Sequence, residues 1–216
     1  MSQIYAIRTE ARPKREEALR MLLLSADAEK DRWERMREPI AAEHIGGLLL
    51  LQNALKAQGI SPLGICFCRE ENGRPYLQGM KEKIDFNISL AKGLVVCAVA
   101  SANGENTPRI GIDAEKKGAV TEEAAARIVS RWFGDAEKAV YAEFPTAETF
   151  LRIWTGKEAM AKQTGEGLSG LTRCDTANLP DNLQLTAYGW MDWTVTLCHE
   201  KGTEAAAKMI LLDALR

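Results

Sequence analysis

The sequence predicts an α+β protein in which each of two halves carries helices and an antiparallel sheet. Three observations predict it. Strand-type apolar runs such as Val95 to Ala100 and Ile110 to Ala114 are interleaved with longer Ala- and Leu-rich stretches of helical spacing. Turn signals such as Glu71-Asn72-Gly73 and Lys92-Gly93 separate neighbouring strands. Finally, the polar stretch Ser101 to Pro108, with Asn103-Gly104 inside it, lies near the middle of the chain between two apolar strands. It divides the chain into residues 1–104 and 105–216, with no letter-by-letter repeat between them.

In chain order, residues 3 to 9 read as a first strand, and from Pro13 the pattern turns helical with Leu19, Leu22 and Leu23 at helix spacing. Ala- and Leu-rich helices fill residues 26 to 58, interrupted at Pro39 and closed by Gly59 and Ser61-Pro62. Strands follow at Ile65 to Cys68, Ile84 to Ser89 and Val95 to Ala100. The second half opens with a strand from Arg109 to Glu115. Helices are expected near 121 to 131, 135 to 143 and 146 to 163, then strands near 183 to 190 and 193 to 199.

Composition narrows the function. The chain has 216 residues, 46% of them hydrophobic, enough to bury a substantial core. Its formal net charge of -2 gives neither a basic nucleic-acid footprint nor an acidic tail. No apolar run is long enough to cross a bilayer, and the opening residues lack the apolar core of a signal peptide, so a cytoplasmic protein is expected. Five scattered cysteines read as reduced, buried thiols. With only His44 and His199, and no glycine-rich nucleotide loop or Gly-x-Ser-x-Gly elbow, chemistry must rest on carboxylates, lysines or a metal.

Two segments carry such groups. In Arg109-Ile110-Gly111-Ile112-Asp113-Ala114-Glu115, alternation puts Ile110, Ile112 and Ala114 on one face and Gly111, Asp113 and Glu115 on the other. Carboxylates two apart on a strand lie roughly 6 to 7 Å apart along it, so their oxygens can converge on one cation. Magnesium suits that arrangement, completing its shell with water and substrate phosphates, and small Gly111 leaves room for a ligand. Alternation alone favours the plainer reading, a solvated outer face. In the helix Phe150 to Lys162, Glu158 and Lys162 are four apart and share a face. They are either an exposed ion pair or a metal ligand or base beside a phosphate-binding lysine.

Together these segments resemble the 4'-phosphopantetheinyl transferase superfamily, in particular its larger, Sfp-like type with two similar halves in one chain. Gly111-Ile112-Asp113-Ala114-Glu115 resembles the family's Gly-Ile/Val-Asp-x-Glu metal strand. Trp154 to Lys162 matches its Trp-Ser/Thr-x-Lys-Glu-Ala/Ser-x-x-Lys helix, the more specific of the two. Gly73-Arg74-Pro75-Tyr76-Leu77 resembles the family's Gly-Lys/Arg-Pro loop, Phe86-Asn87-Ile88-Ser89 the start of its Phe-Asn-x-Ser-His segment, and Gly165-Glu166-Gly167-Leu168 fits just after the helix. The matches run from residue 73 to 168 in family order.

The resemblance implies pseudo-two-fold-related halves with the active site between them, in a chain sufficient as a monomer. It implies magnesium at Asp113, Glu115 and Glu158, and coenzyme A contacts at Arg74, Pro75, Ser89 and Lys162. The activity implied is transfer of the phosphopantetheine arm from coenzyme A to a serine of an acyl or peptidyl carrier protein, releasing 3',5'-adenosine bisphosphate. Glu158, or else Asp113, is the base, and Lys162 assists the leaving phosphate. No nucleic-acid or membrane partner is implied. The chain departs from the pattern where the family has His then Ser or Thr after Asn-x-Ser, carrying Leu90 and Ala91 instead. It also lacks an expected arginine ahead of the Gly-Leu-Leu stretch, where His44 is the nearest substitute. These departures motivate the alternative of a catalytically weakened relative that binds coenzyme A or a carrier protein. Arg127 and Arg131, four apart on the helix after the metal strand, read either as a docking pair for the carrier or as a solubilising face.

Overall fold

The computed structural model describes residues 2–11, 13–102, 108–203 and 209–215. The expected boundary at residue 104 falls outside these. Helices and sheets stack in four layers, and the chain order is β1 (Ser2–Arg8), α1 (Arg15–Met21), α2 (Lys30–Arg35), α3 (Glu38–Ala57), β2 (Cys66–Arg69), β3 (Pro75–Gln78), β4 (Ile84–Ala91) and β5 (Leu94–Ser101). There follow β6 (Ile110–Lys116), α4 (Glu122–Trp132), α5 (Asp135–Glu143), α6 (Ala147–Thr164), β7 (Leu183–Trp190), β8 (Trp193–Glu200) and β9 (Met209–Leu211).

The first sheet has the order β4-β5-β1-β9 and the second β6-β8-β7, while β2 and β3 form a separate hairpin. Among the described strands the pairings are antiparallel except that of β9, which runs parallel to β1, and an isolated parallel bridge joins Ser25 to Cys66. The first sheet is therefore mixed rather than purely antiparallel, and its outermost strand comes from the end of the chain. Neither β3 nor β9 was expected from the sequence. Three-residue β9 is too short to show alternation, and β3 opens at Pro75 within a segment read as a Gly-Arg-Pro loop.

The continuous apolar run of β5 reflects burial on both faces. Val95, Cys97 and Val99 pack with Tyr5 and Ile7 under α1 and α3. Leu94, Val96, Ala98 and Ala100, with Ile4 and Ala6, pack against Ile110, Ile112, Ala114, Trp193, Val195 and Leu197 of the second sheet. Each large aliphatic side chain so buried contributes about 1.5 to 3 kcal/mol relative to exposure. Pro39 does not break a helix but sits in the first turn of α3, where its missing N–H leaves no bond unmade.

The second sheet's other face carries α6, whose start is capped by the Thr146 hydroxyl accepting from the Thr149 amide at 3.1 Å. Gly165, at φ 81°, ends it. Its roll is pinned by Lys157, which lies only 1% exposed and donates to Glu137 Oε2 of α5 at 2.6 Å and to the Cys174 carbonyl. The Thr176 amide and hydroxyl and the Gly134 amide complete the Glu137 shell at 2.8 Å each. With every lone pair engaged, this pair escapes the usual penalty of a buried charge. Of the five free cysteines, Cys97, Cys174 and Cys198 are buried as expected, but Cys66 and Cys68, on the two-stranded hairpin, are half-buried.

Candidate functional site

The polar face of β6 does not point to solvent. It points at α6. The two elements approach so closely at Gly111 that a Cβ there would overlap the Ala159 carbonyl oxygen and stand 2.5 Å from the Gln163 amide. The glycine thus makes room for a helix backbone rather than for a ligand. Two and four residues further on, Asp113 and Glu115 meet the Glu158 and Lys162 face of the helix.

On its other flank, β6 is met by side chains of β4, which stand in for a neighbouring strand. Asp85 Oδ2 accepts from the Ile110 amide at 2.8 Å, and Asn87 Oδ1 accepts from the Ile112 amide at 3.0 Å. Ser89 continues the ladder, its hydroxyl donating to Asp113 Oδ1 at 2.8 Å. The Phe-Asn-x-Ser alternation thus satisfies an edge whose amides would otherwise be buried without partners.

Asp113 is 3% exposed, and its two oxygens differ. Oδ1 takes the Ser89 hydroxyl and, at 2.7 Å, the Lys162 ammonium, which also donates to Ser89 Oγ at 2.8 Å. Oδ2 is buried with no hydrogen-bond partner. An orphaned carboxylate oxygen at this depth is costly unless a cation or donor comes to it. Around it the field is acidic. Burial, then the Asp113 charge, pushes the Glu158 carboxyl up to about 7, with Lys162 opposing and Glu115 adding to the rise. Burial, then Asp113, likewise pushes Glu115 up to about 7, against Lys162 and a hydrogen bond from Trp154. A divalent cation would relieve both like-charge repulsion and the orphaned oxygen, so the donor set fits magnesium in kind. The side chains adjoin without converging. Among the described residues, no three His, Cys, Asp or Glu groups are gathered closely enough to hold a metal.

Beside this cluster lies a cavity of ≈ 250 Å³ whose lining includes Arg32, His44, Arg69, Pro75, Leu90 and Lys162. Lys162 joins cavity to carboxylates. His44 is held below the usual imidazole range by burial and by the nearby Arg32 and Arg69 charges, so at neutral pH it offers a neutral donor rather than a cation. Arg69 is the cavity residue the sequence reading missed. Alternation on β2 places it on the face of buried Phe67, over whose ring its guanidinium lies at 5.4 Å. It is held there by Glu29, accepting at 2.6 and 3.0 Å.

Arg74 does not line this cavity. Expected to face the coenzyme A nucleotide, it is turned inward with its side chain only 3% exposed. It forks onto Asp85 at 3.0 and 2.7 Å and donates to the Ile110 carbonyl at 2.9 Å and the Lys162 carbonyl at 3.3 Å. With those donors engaged it ties β3, β4, β6 and α6 together. Of the expected site residues, the structure brings Ser89, Asp113, Glu115, Glu158 and Lys162 into one cluster. It places Pro75 and His44 on the adjoining cavity and removes Arg74 to the framework.

Fold and site together place the chain among α+β proteins that set an acidic strand against a Glu- and Lys-bearing helix. Residues 109–205 match the family model of the 4'-phosphopantetheinyl transferase superfamily. The chain is 35% identical over 158 residues to a 4'-phosphopantetheinyl transferase of Bacillus subtilis, covering 71% of this chain and 66% of that one. It is 30% identical over 127 residues to the 4'-phosphopantetheinyl transferase HetI of Nostoc sp., covering 56% and 51%. To the 4'-phosphopantetheinyl transferase Sfp of Bacillus subtilis strain 168 it is 27% identical over 172 residues, covering 77% and 72%. The chain belongs to the 4'-phosphopantetheinyl transferase superfamily, and its matches span 66% and 51% of the length of the first two relatives.

Proposed function

We propose that the protein transfers the 4'-phosphopantetheine arm of coenzyme A to a serine of an apo acyl or peptidyl carrier protein, releasing 3',5'-adenosine bisphosphate, with magnesium held by Asp113, Glu115 and Glu158. The observation that carries this reading is the buried, unpartnered Oδ2 of Asp113, beside two carboxylates of raised proton affinity and a lysine that opens onto a basic cavity. Coenzyme A is read into that cavity, with Arg32, Arg69 and the His44 donor toward its phosphates. Magnesium, when bound, neutralises the pyrophosphate and stabilises charge on the transferring phosphoryl group.

The chain's own residues do the rest. Glu158 accepts the proton of the carrier serine, and Asp113 is the alternative acceptor. The serine oxygen then bonds to the phosphorus that bears the pantetheine. The bond from that phosphorus to the bridging oxygen breaks, and the leaving phosphate receives charge or a proton from Lys162. Ser89 orients Lys162 and Asp113 through its two hydrogen bonds. Positioning and fixed charge carry the rate gain, because little covalent work falls to the protein. Both faces of the site come from one chain, so we take a monomer as the working unit. The free thiols fit a reducing cytoplasm. Among the described residues no helix is long and apolar enough to cross a membrane.

Mass spectrometry of apo carrier proteins incubated with the protein, coenzyme A and magnesium tests this reading. A phosphopantetheine mass gain that is lost with Asp113→Ala is the expected result. Coenzyme A binding with no gain on any carrier would instead favour a silent binding relative, for which Leu90 on the cavity wall is the motive.

A further inference from the structure

Strand ends and turns meet at one corner of the two packed sheets, and they gather cations and indoles. Arg8 ends β1 opposite Leu94, and Lys92 lies in the turn between β4 and β5. Lys116 ends β6 opposite Trp193, and Lys117 follows, its amide bonded to the Asp192 carbonyl at 2.6 Å. The turn between β7 and β8 presents Met191 and Asp192.

These side chains are organised rather than merely adjacent. Trp190 and Trp193 stack with centroids 5.4 Å apart, and the Trp193 indole N–H donates to the Lys92 carbonyl at 3.1 Å. The Arg8 guanidinium lies 5.8 Å over Trp190, and the Lys116 ammonium 5.0 Å over Trp193. Arg8 also reaches Met191 Sδ at 3.0 Å. Met191 is 62% exposed and stands at φ 48°, the one non-glycine residue of positive φ among the described residues. A positive φ is what the first residue of a two-residue hairpin turn requires, and it leaves a large apolar side chain projecting toward solvent.

Cations outnumber anions at this corner. Arg8, Lys92, Lys116 and Lys117 are accompanied by Glu10 and Asp192. Lys92 and Lys117 are exposed, and the cation heads of Arg8 and Lys116 are held over the indoles with less freedom to lose on binding. The corner also adjoins the candidate site. Lys116 directly follows Glu115, Lys92 lies shortly beyond Ser89, and at about 3.3 Å per residue Lys116 is roughly 10 Å along β6 from Asp113, its side chain on the strand's other face over Trp193. The transfer chemistry proposed above uses none of these residues.

Resting on the transfer reading, we propose that this corner is the docking surface for the carrier protein. Met191 and Trp190 supply an apolar anchor, and Arg8, Lys92, Lys116 and Lys117 meet an acidic surface of the carrier. Methionine, tryptophan and arginine are the residues enriched at interface centres, and a rim of net positive charge steers an acidic partner into register. The competing surface is Arg127 and Arg131 on α4, where Arg131 lies over Trp132 at 4.6 Å but Glu122 and Glu123 share the helix.

The test measures binding of the apo acyl carrier protein of a bacterial fatty-acid synthase without coenzyme A, and then KM for carrier and for coenzyme A. The variants are Lys92→Glu/Lys117→Glu, both exposed, and Met191→Glu. Carrier affinity should fall steeply with salt in the unmodified protein and about tenfold or more in each variant, with carrier KM rising in step. Coenzyme A KM and melting temperature should hold. Unchanged carrier affinity in the variants overturns the proposal. So does loss through Arg127→Glu/Arg131→Glu instead, or an unmodified protein that binds no acidic carrier from a panel. Carrier binding with this pattern but without transfer would keep the docking surface and refute the transfer activity.

Discussion

Removing the Arg74 guanidinium separates two roles that the sequence and the structure assign to it. In Arg74→Met, the Asp85 carboxylate keeps only the Ile110 amide and loses both short guanidinium bonds, while the Ile110 and Lys162 carbonyls lose their donors. Breaking a buried pair from one side costs about 3 to 5 kcal/mol, because the partner charge stays buried. In a chain of this size each kcal/mol shifts the melting temperature by about 2 to 4 °C, so a drop of roughly 6 to 20 °C is expected. Thermal unfolding followed by circular dichroism, without ligand, reads it. Arg74→Met/Asp85→Asn, which removes both charges and keeps an acceptor for the Ile110 amide, should recover much of the loss, since the penalty lies in the uncompensated partner. A single variant that melts within 2 °C of the parent, yet raises KM for coenzyme A about tenfold, would refute this reasoning and return Arg74 to the nucleotide.

Three further outcomes are expected. Gly111→Ala should fail to fold or melt far below the parent, because its Cβ meets α6 backbone and not a flexible side chain; limited proteolysis and circular dichroism check this. Glu115 and Glu158, folded near 7 against about 4.5 unfolded, bind more protons in the native state between those values, so they make the metal-free fold lose stability as pH rises through that window. Millimolar magnesium should therefore raise the melting temperature more at pH 8 than at pH 5.5, and Glu158→Gln should raise the metal-free value at pH 8. A magnesium effect independent of pH counts against the carboxylate cluster. Leu90→His restores a donor to the cavity wall and should tighten coenzyme A about tenfold or more by calorimetry, for one added hydrogen bond to a charged group. An unchanged affinity would mean that Arg32, Arg69 and His44 already serve the phosphates.

Much of the site was legible because its spacing is local. Alternation put Asp113 and Glu115 on one face of β6, and the four-residue interval put Glu158 and Lys162 on one face of α6, with boundaries within about two residues of those observed. Sequence order could not show that these two faces oppose each other. Nor could it show that Gly111 serves a helix, that Arg74 turns inward to Asp85, or that Arg69 from β2 shares a cavity with His44 from α3. Each depends on which surfaces pack, and a guanidinium beside a Gly-Arg-Pro turn reads the same whether its partner is a phosphate or a buried carboxylate.

The sequence by itself determined most of the element types, the carboxylate and lysine residues, and the family, since periodicity and motif spacing are properties of neighbours in the chain. The tertiary structure alone decided which oxygen of Asp113 is left without a partner, which arginine faces the cavity, and that the ends of β1, β4, β6 and β7 form one cationic corner. Those are meetings between residues distant in sequence. They are set by the packing of two sheets on each other, a relation that no local pattern encodes.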